Sequence, residues 1–123
     1  MLTLQLLIST IDGGIEGVPH MLLAPIEGVS YVVSWQMTGD TRLDQCPPQL
    51  LARNDVKLLT MHRRGLSRNR NHCIDHASAD VCLVCDDDCR YTAARLRKVV
   101  EAFEDDPELD MATFETTVAG KNT

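Results

Sequence analysis

An α/β fold with a mostly parallel sheet and flanking helices is what this sequence predicts, on three observations. Short apolar, often β-branched runs recur along the chain, each ended by turn-forming residues. In the second half, segments with apolar residues at helical spacing separate those runs, the pattern of βαβ units. The size also fits: 123 residues, 44% of them hydrophobic and 24% charged, suit one domain (1–123) with a core of moderate size.

The first strand is read at "LTLQLLIST", Leu2–Thr10, an apolar run stopped by "IDGG". The link "GGIEGVPHMLLAPIEGV" holds four of the seven glycines and two prolines, so it predicts little beyond one helical turn around His20–Leu23. "SYVVSWQ", Ser30–Gln36, is the second strand, β-branched and aromatic. "TGDTRLDQCPPQLLARN" reads as a loop with a short helix, and "DVKLLTMH", Asp55–His62, as the third strand. Ser67 is the natural N-cap for a helix of about three turns in which Ile74 and Ala77 share a face. "VCLVC", Val81–Cys85, is the fourth strand. Thr92 can cap "AARLRKVVEAFEDD", with a stripe of Leu96, Val99, Val100 and Phe103 and a stop at Asp106-Pro107. "MATFETTV", Met111–Val118, alternates as a fifth strand with one exposed face.

Right-handed crossovers place the carboxyl ends of the third and fourth strands on the same edge of a parallel sheet, where open α/β sheets bind ligands. That edge receives the two chemically unusual stretches of the chain. The first is "DDD", Asp86–Asp88, directly after the fourth strand. Adjacent carboxylates raise one another's pKa unless a cation compensates, and hard oxygen ligands favour Mg²⁺ or Mn²⁺ bridging to phosphates. The plainer alternative is a solvated turn whose carboxylates suit the start of the next helix. The second stretch is "RRGLSRNRN", Arg63–Asn71, with four of the twelve basic residues. Arg68 and Arg70 oppose the macrodipole in the first turn, at a cost of roughly 0.3–1 kcal/mol that a docked anion would reverse. The alternative there is pairing with the nearby aspartates. Carboxylates and arginines facing one cleft suit a metal-bound diphosphate.

Other classes fit less well. The 12 basic and 18 acidic residues, net −6, argue against a nucleic-acid-coating role. No apolar run approaches the roughly 20 residues of a bilayer span, and no signal-peptide pattern opens the chain, so a cytoplasmic protein is expected. Neither GxxxxGK[ST] nor GxGxxG occurs, which excludes a Walker-type site and a dinucleotide fingerprint. The five cysteines are an odd number; Cys82 and Cys85 fall on opposite faces of a strand, a poor start for zinc and a good one for packing. His72 and His76 share a helix face without the glutamate of HExxH. Trp35 and Tyr91, as lone aromatics, read as packing before base stacking. A receiver-type signalling domain would need an acidic pair after the first strand and a lone aspartate after the third, and neither is present.

"GLSRNRNHCIDHASADVCLVCDDDCRY" resembles the central signature of family 2 glycosyltransferases, where a "G-x-[SA]-x-A-R-N" helix start, an apolar strand and a D-x-D follow in order. The close match covers Gly65–Tyr91 and extends loosely over most of the chain. The resemblance implies the donor half of a GT-A/Rossmann-like nucleotide-diphospho-sugar transferase fold, incomplete because the acceptor half is not in these residues. It implies a nucleoside diphosphate sugar as ligand and Mg²⁺ or Mn²⁺ as cofactor, with transfer to an unknown acceptor, at the inner face of a membrane if the acceptor lies there. Asp86 and Asp88 would be the D-x-D pair, Asp88 nearest the metal and Asp86 near the ribose. Arg70 and Asn71 would match the family's "RN" and face the nucleotide with Arg68 and Asp87, while Ser9 and Thr10 would line the base pocket. The pattern departs after the second strand, where "SWQMTGD" stands for the family's "DDGS" and leaves Asp40 as a weak substitute. A binding module of the same fold without transferase activity is the alternative.

Overall fold

The computed structural model describes residues 1–62 and 65–111. Four strands, β1 (Leu4–Ile11), β2 (Val29–Gln36), β3 (Val56–Met61) and β4 (Val81–Asp86), form one all-parallel sheet in the order β3-β2-β1-β4. The expected strands are therefore present within one or two residues of their sequence bounds. The expected fifth strand, apart from its first residue Met111, falls on residues outside the described set. Among the described residues, no helix is long and apolar enough to cross a membrane.

The chain builds outward from β1 through β2 to β3, and then helix α2 (Leu66–Asp75) carries it back over the sheet to β4 on the other side of β1. That reversal makes the β1–β4 seam a topological switch point. In the ladder, Ser9 of β1 stands opposite Asp86 of β4, so the carboxyl ends of both strands meet at the same rim.

One face of the sheet carries the main core. Leu4, Leu6 and Ile8 of β1 join Tyr31, Val33 and Trp35 of β2 and Val81 and Cys85 of β4. Over them pack Leu50 of helix α1 (Pro48–Ala52) and Leu96, Val99 and Val100 of helix α3 (Ala93–Asp105). The α3 stripe is the one its spacing predicts, and Thr92 caps it by accepting a hydrogen bond from Arg95 N at 3.2 Å. The opposite face packs less apolar area: Leu7, Val32 and Cys73, flanked by Leu59 and Ala77.

Two local expectations are corrected. The glycine-rich link is not a loop with one turn but a 3-10 helix over Asp12–Met21. Its buried residues are Ile15, Val18 and Met21, spaced three apart. Residues three apart eclipse in a 3-10 helix, so this spacing lays a straight apolar stripe on the core that neither a strand nor an α-helical period would give. Helix α2 is capped by Gly65, not Ser67. The chain turns there at φ 130°, a conformation that only glycine adopts without strain, and the helix phase follows from it. Consequently the inward residues of α2 are Asn69 and Cys73, while Ile74 is half exposed.

Candidate functional site at the switch point

A cleft of about 520 Å³ opens at the carboxyl rim of β1 and β4, lined by Ser9, Thr10, Ile11, Gln36, Thr38, Gly65, Leu66, Asn69 and Asp86–Asp88. Each wall follows from an element already placed. β1 supplies Ser9 and Thr10, β2 supplies Gln36 and Thr38 follows it, the start of α2 supplies Leu66 and Asn69, and the end of β4 supplies the aspartates.

The aspartates differ in what they do. Asp86 is the last residue of β4, and its Oδ1 accepts a hydrogen bond from Arg70 Nη2 at 3.1 Å in an ion pair exposed to solvent. Such a pair contributes only about 0–1 kcal/mol, so a ligand can displace it cheaply. Asp87 is half-buried and accepts from Thr10 Oγ1 at 2.7 Å. Asp88 is exposed, and its carboxylate takes no hydrogen bond or ion pair from the described residues. Among the described residues, Arg70 also keeps a buried Nε–H without a partner, a second donor on the same guanidinium.

The other wall is neutral. Asn69 is buried in the cleft lining, where its Nδ2 donates to the Thr10 carbonyl at 3.0 Å and its Oδ1 has no partner among the described residues. The bond to a carbonyl decides which amide atom faces Thr10. Farther along α2, Cys73 donates to the Ile8 carbonyl at 3.3 Å, and His72 Nδ1 lies in a hydrogen bond 3.0 Å from the buried Ser34 hydroxyl. These contacts hold α2 across β1 and β2.

The β1 and β2 rims are joined by Asp12. It adopts φ 47°, a left-handed conformation that aspartate tolerates better than most residues, and accepts from Thr38 N at 2.6 Å, from Thr41 Oγ1 at 2.6 Å and from Thr38 Oγ1. Its carbonyl accepts from the fully buried Trp35 indole at 2.9 Å. Trp35 is thus packing, as its isolation suggests.

The structure brings Ser9, Thr10, Asp86, Asp87 and Asp88 into the cleft lining, with Arg70 bonded to Asp86 at its edge. Arg68 and Asn71 are exposed and lie outside that lining, and Arg68 folds back toward Gly65. Asp40 is exposed and likewise outside it. Sequence reasoning passed over Asn69, Gln36, Thr38, Asp12 and Gly14. For Asn69 a signal existed: it precedes Cys73 by four residues, so the two share a helix face.

The cysteines behave as packing groups. Cys85 is buried and Cys82 exposed, on opposite faces of β4. Burial pushes the Cys85 thiol up against a smaller opposing hydrogen bond from Tyr91, and burial together with Cys85 pushes the Tyr91 hydroxyl up, so both stay neutral at physiological pH. Burial also raises Cys73.

A divalent ion can be weighed against the donor set. Among the described residues, no group of three His, Cys, Asp or Glu side chains converges as a metal cage. Asp86 and Asp88 are hard oxygen donors at the cleft mouth, which fits an ion that takes one or two carboxylates and completes its shell with phosphate oxygens and water.

An open parallel sheet with a cleft at its switch point is the architecture of open α/β domains that take ligands at the carboxyl ends of their strands. Residues 44–122 match the family model for glycosyl transferase family 2, and the chain belongs to that family. A comparison with curated proteins returns no match.

Proposed function

We propose that this chain binds a nucleoside diphosphate sugar through Mg²⁺ or Mn²⁺ and transfers the sugar to an acceptor. The observation that carries this reading is the Ser9–Asp86 pairing at the switch point, with Arg70 of α2 bonded to Asp86. It sets a carboxylate pair and a guanidinium at one rim, the two charge types that a metal-bound diphosphate needs. Ser9 and Thr10 serve the nucleoside end. Asp86 and Asp88 hold the ion, whose chemistry when bound is Lewis-acid stabilisation of the leaving diphosphate. The Arg70–Asp86 pair is the resting arrangement. On binding, Arg70 exchanges the carboxylate for a phosphate oxygen, and its unpartnered Nε–H offers the second tine of a guanidinium fork.

Titrating Mn²⁺ with UDP, GDP, CDP and ADP tests the proposal. Binding should require the metal, and Asp88→Ala should abolish it; equal binding without metal sinks the metal role. Arg70→Ala should weaken the diphosphate far more than the matching nucleoside, and equal losses would refute its phosphate contact. Hydrolysis or transfer from a sugar-loaded donor then separates an enzyme from a module that only binds.

A further inference from the structure

We propose that Asp87, the middle aspartate, is a positioning residue: gripped by Thr10 and seated on Gly14, it fixes the aspartate loop beside the start of α2 and leaves ligand contact to Asp86 and Asp88. The inference rests on the nucleotide site proposed above and assigns roles within it.

Thr10 makes two bonds in opposite directions. Its hydroxyl donates to Asp87 Oδ2 at 2.7 Å, and its carbonyl accepts from Asn69 Nδ2 at 3.0 Å. A single residue of β1 thereby ties the helix that carries Arg70 to the loop that carries Asp86 and Asp88. The same Asp87 oxygen rests against the 3-10 helix at Gly14. A Cβ placed on Gly14 would come within 2.2 Å of Asp87 Oδ2 and 2.8 Å of Thr10 Oγ1, distances that real atoms do not tolerate. A Cβ on Gly17 would approach the Asp87 carbonyl to 3.2 Å. Gly14 and Gly17 are three apart and so eclipse in a 3-10 helix, just as Ile15 and Val18 do on the core side. One short helix therefore presents apolar side chains to the core and bare backbone to the aspartate loop.

This grip asks Asp87 only to accept a hydrogen bond, which a neutral amide oxygen also does. A direct contact with a divalent metal would draw on its charge. The two roles therefore part company in Asp87→Asn.

The experiment measures Mn²⁺-dependent affinity for the tightest of UDP, GDP, CDP and ADP, together with backbone hydrogen exchange of residues 86–89 in the free protein. Asp87→Ala and Gly14→Ala should each weaken binding by about tenfold or more, the scale of one lost 1.4 kcal/mol constraint. Both should speed exchange in the loop. Asp87→Asn should recover most of both losses, and Gly13→Ala, whose added Cβ would meet nothing within 4 Å, should change neither. If Gly14→Ala does not fold, Thr10→Val removes the same grip from the other side, with Thr10→Ser as its rescue. Asp87→Asn as weak as Asp87→Ala overturns the proposal, as does unchanged exchange in Asp87→Ala. If the unmodified chain binds none of the four while the exchange pattern holds, the nucleotide reading fails and the positioning role stands.

Discussion

On one face of the sheet, Leu4, Leu6, Ile8, Val33 and Trp35 lie under α1, α3 and the 3-10 helix in a continuous apolar cluster. On the other, α2 meets β1 and β2 through a small cluster around Leu7, Val32 and Cys73, and through named hydrogen bonds: Asn69 to Thr10, Cys73 to Ile8, His72 with Ser34. The first face derives its stability from area, which is non-directional and tolerant of small shifts. The second derives its alignment from directional bonds that weaken steeply with misplacement. The cleft lies at the carboxyl rim, and α2 of the second face supplies its Leu66 and Asn69. A site that must hold a guanidinium and two carboxylates at fixed spacing benefits from a face that specifies position more than it supplies burial.

That contrast can be broken, and four measurements bear on it in decreasing order of effect. Trp35→Ala should cost about 3–5 kcal/mol in denaturant unfolding, because it empties a fully buried aromatic site. A loss under about 1 kcal/mol would mean the apolar face is not the main source of stability. Asn69→Ala should cost less, about 1–3 kcal/mol, by removing the buried hydrogen bond to the Thr10 carbonyl. Its larger mark should be on diphosphate affinity; a variant that loses stability but keeps affinity would place α2 outside the site.

Thr92→Ala should cost about 0.5–2 kcal/mol by removing the α3 cap, with no change in ligand affinity. An affinity change there would show that the two faces are coupled. Smallest is the Arg53–Asp55 pair, whose hydrogen bonds at 2.9 and 2.6 Å hold Asp55 below its ordinary value. A depressed carboxylate stabilises the fold above the unfolded pKa, near pH 4, and loses that contribution as pH falls through the lower folded value. Asp55→Asn should therefore be less stable by up to about 1 kcal/mol at neutral pH and equal to the parent in acid. A deficit that persists in acid would assign the loss to packing.

What the sequence made legible follows the same division. The strands, the parallel sheet and the shared edge were readable because burial imposes periodicity, and periodicity is visible in one dimension. Asp86 and Arg70 could be assigned to one edge in advance because right-handed crossovers open the ends of consecutive strands onto the same rim, whereas their direct pairing was only the plainer alternative. The 3-10 helix was missed because Ile15, Val18 and Met21 repeat every three residues, a spacing that neither common template matches. The start of α2 was misplaced because Ser67 is the better capping side chain, whereas the turn itself required the φ of Gly65. Gly14 and Asp12 were invisible for a different reason. Their roles are contacts with Asp87 and with Thr38 and Thr41, residues far away in the chain, and no local pattern encodes them.

The ladder pairing of Ser9 with Asp86 also bears on how motifs are read and edited. Side chains along a strand alternate between faces, so the letters "DDD" acquire meaning only through the count of residues that precedes them. Deleting one residue between Val81 and Cys85 would leave every aspartate in the sequence and turn the first of them toward the opposite side of the sheet. Two chains with the same motif and strands of different parity would therefore be alike on paper and unlike in chemistry. For this domain, the unit to conserve in any redesign or graft is the phase of β4 relative to β1, with the three letters as its passenger.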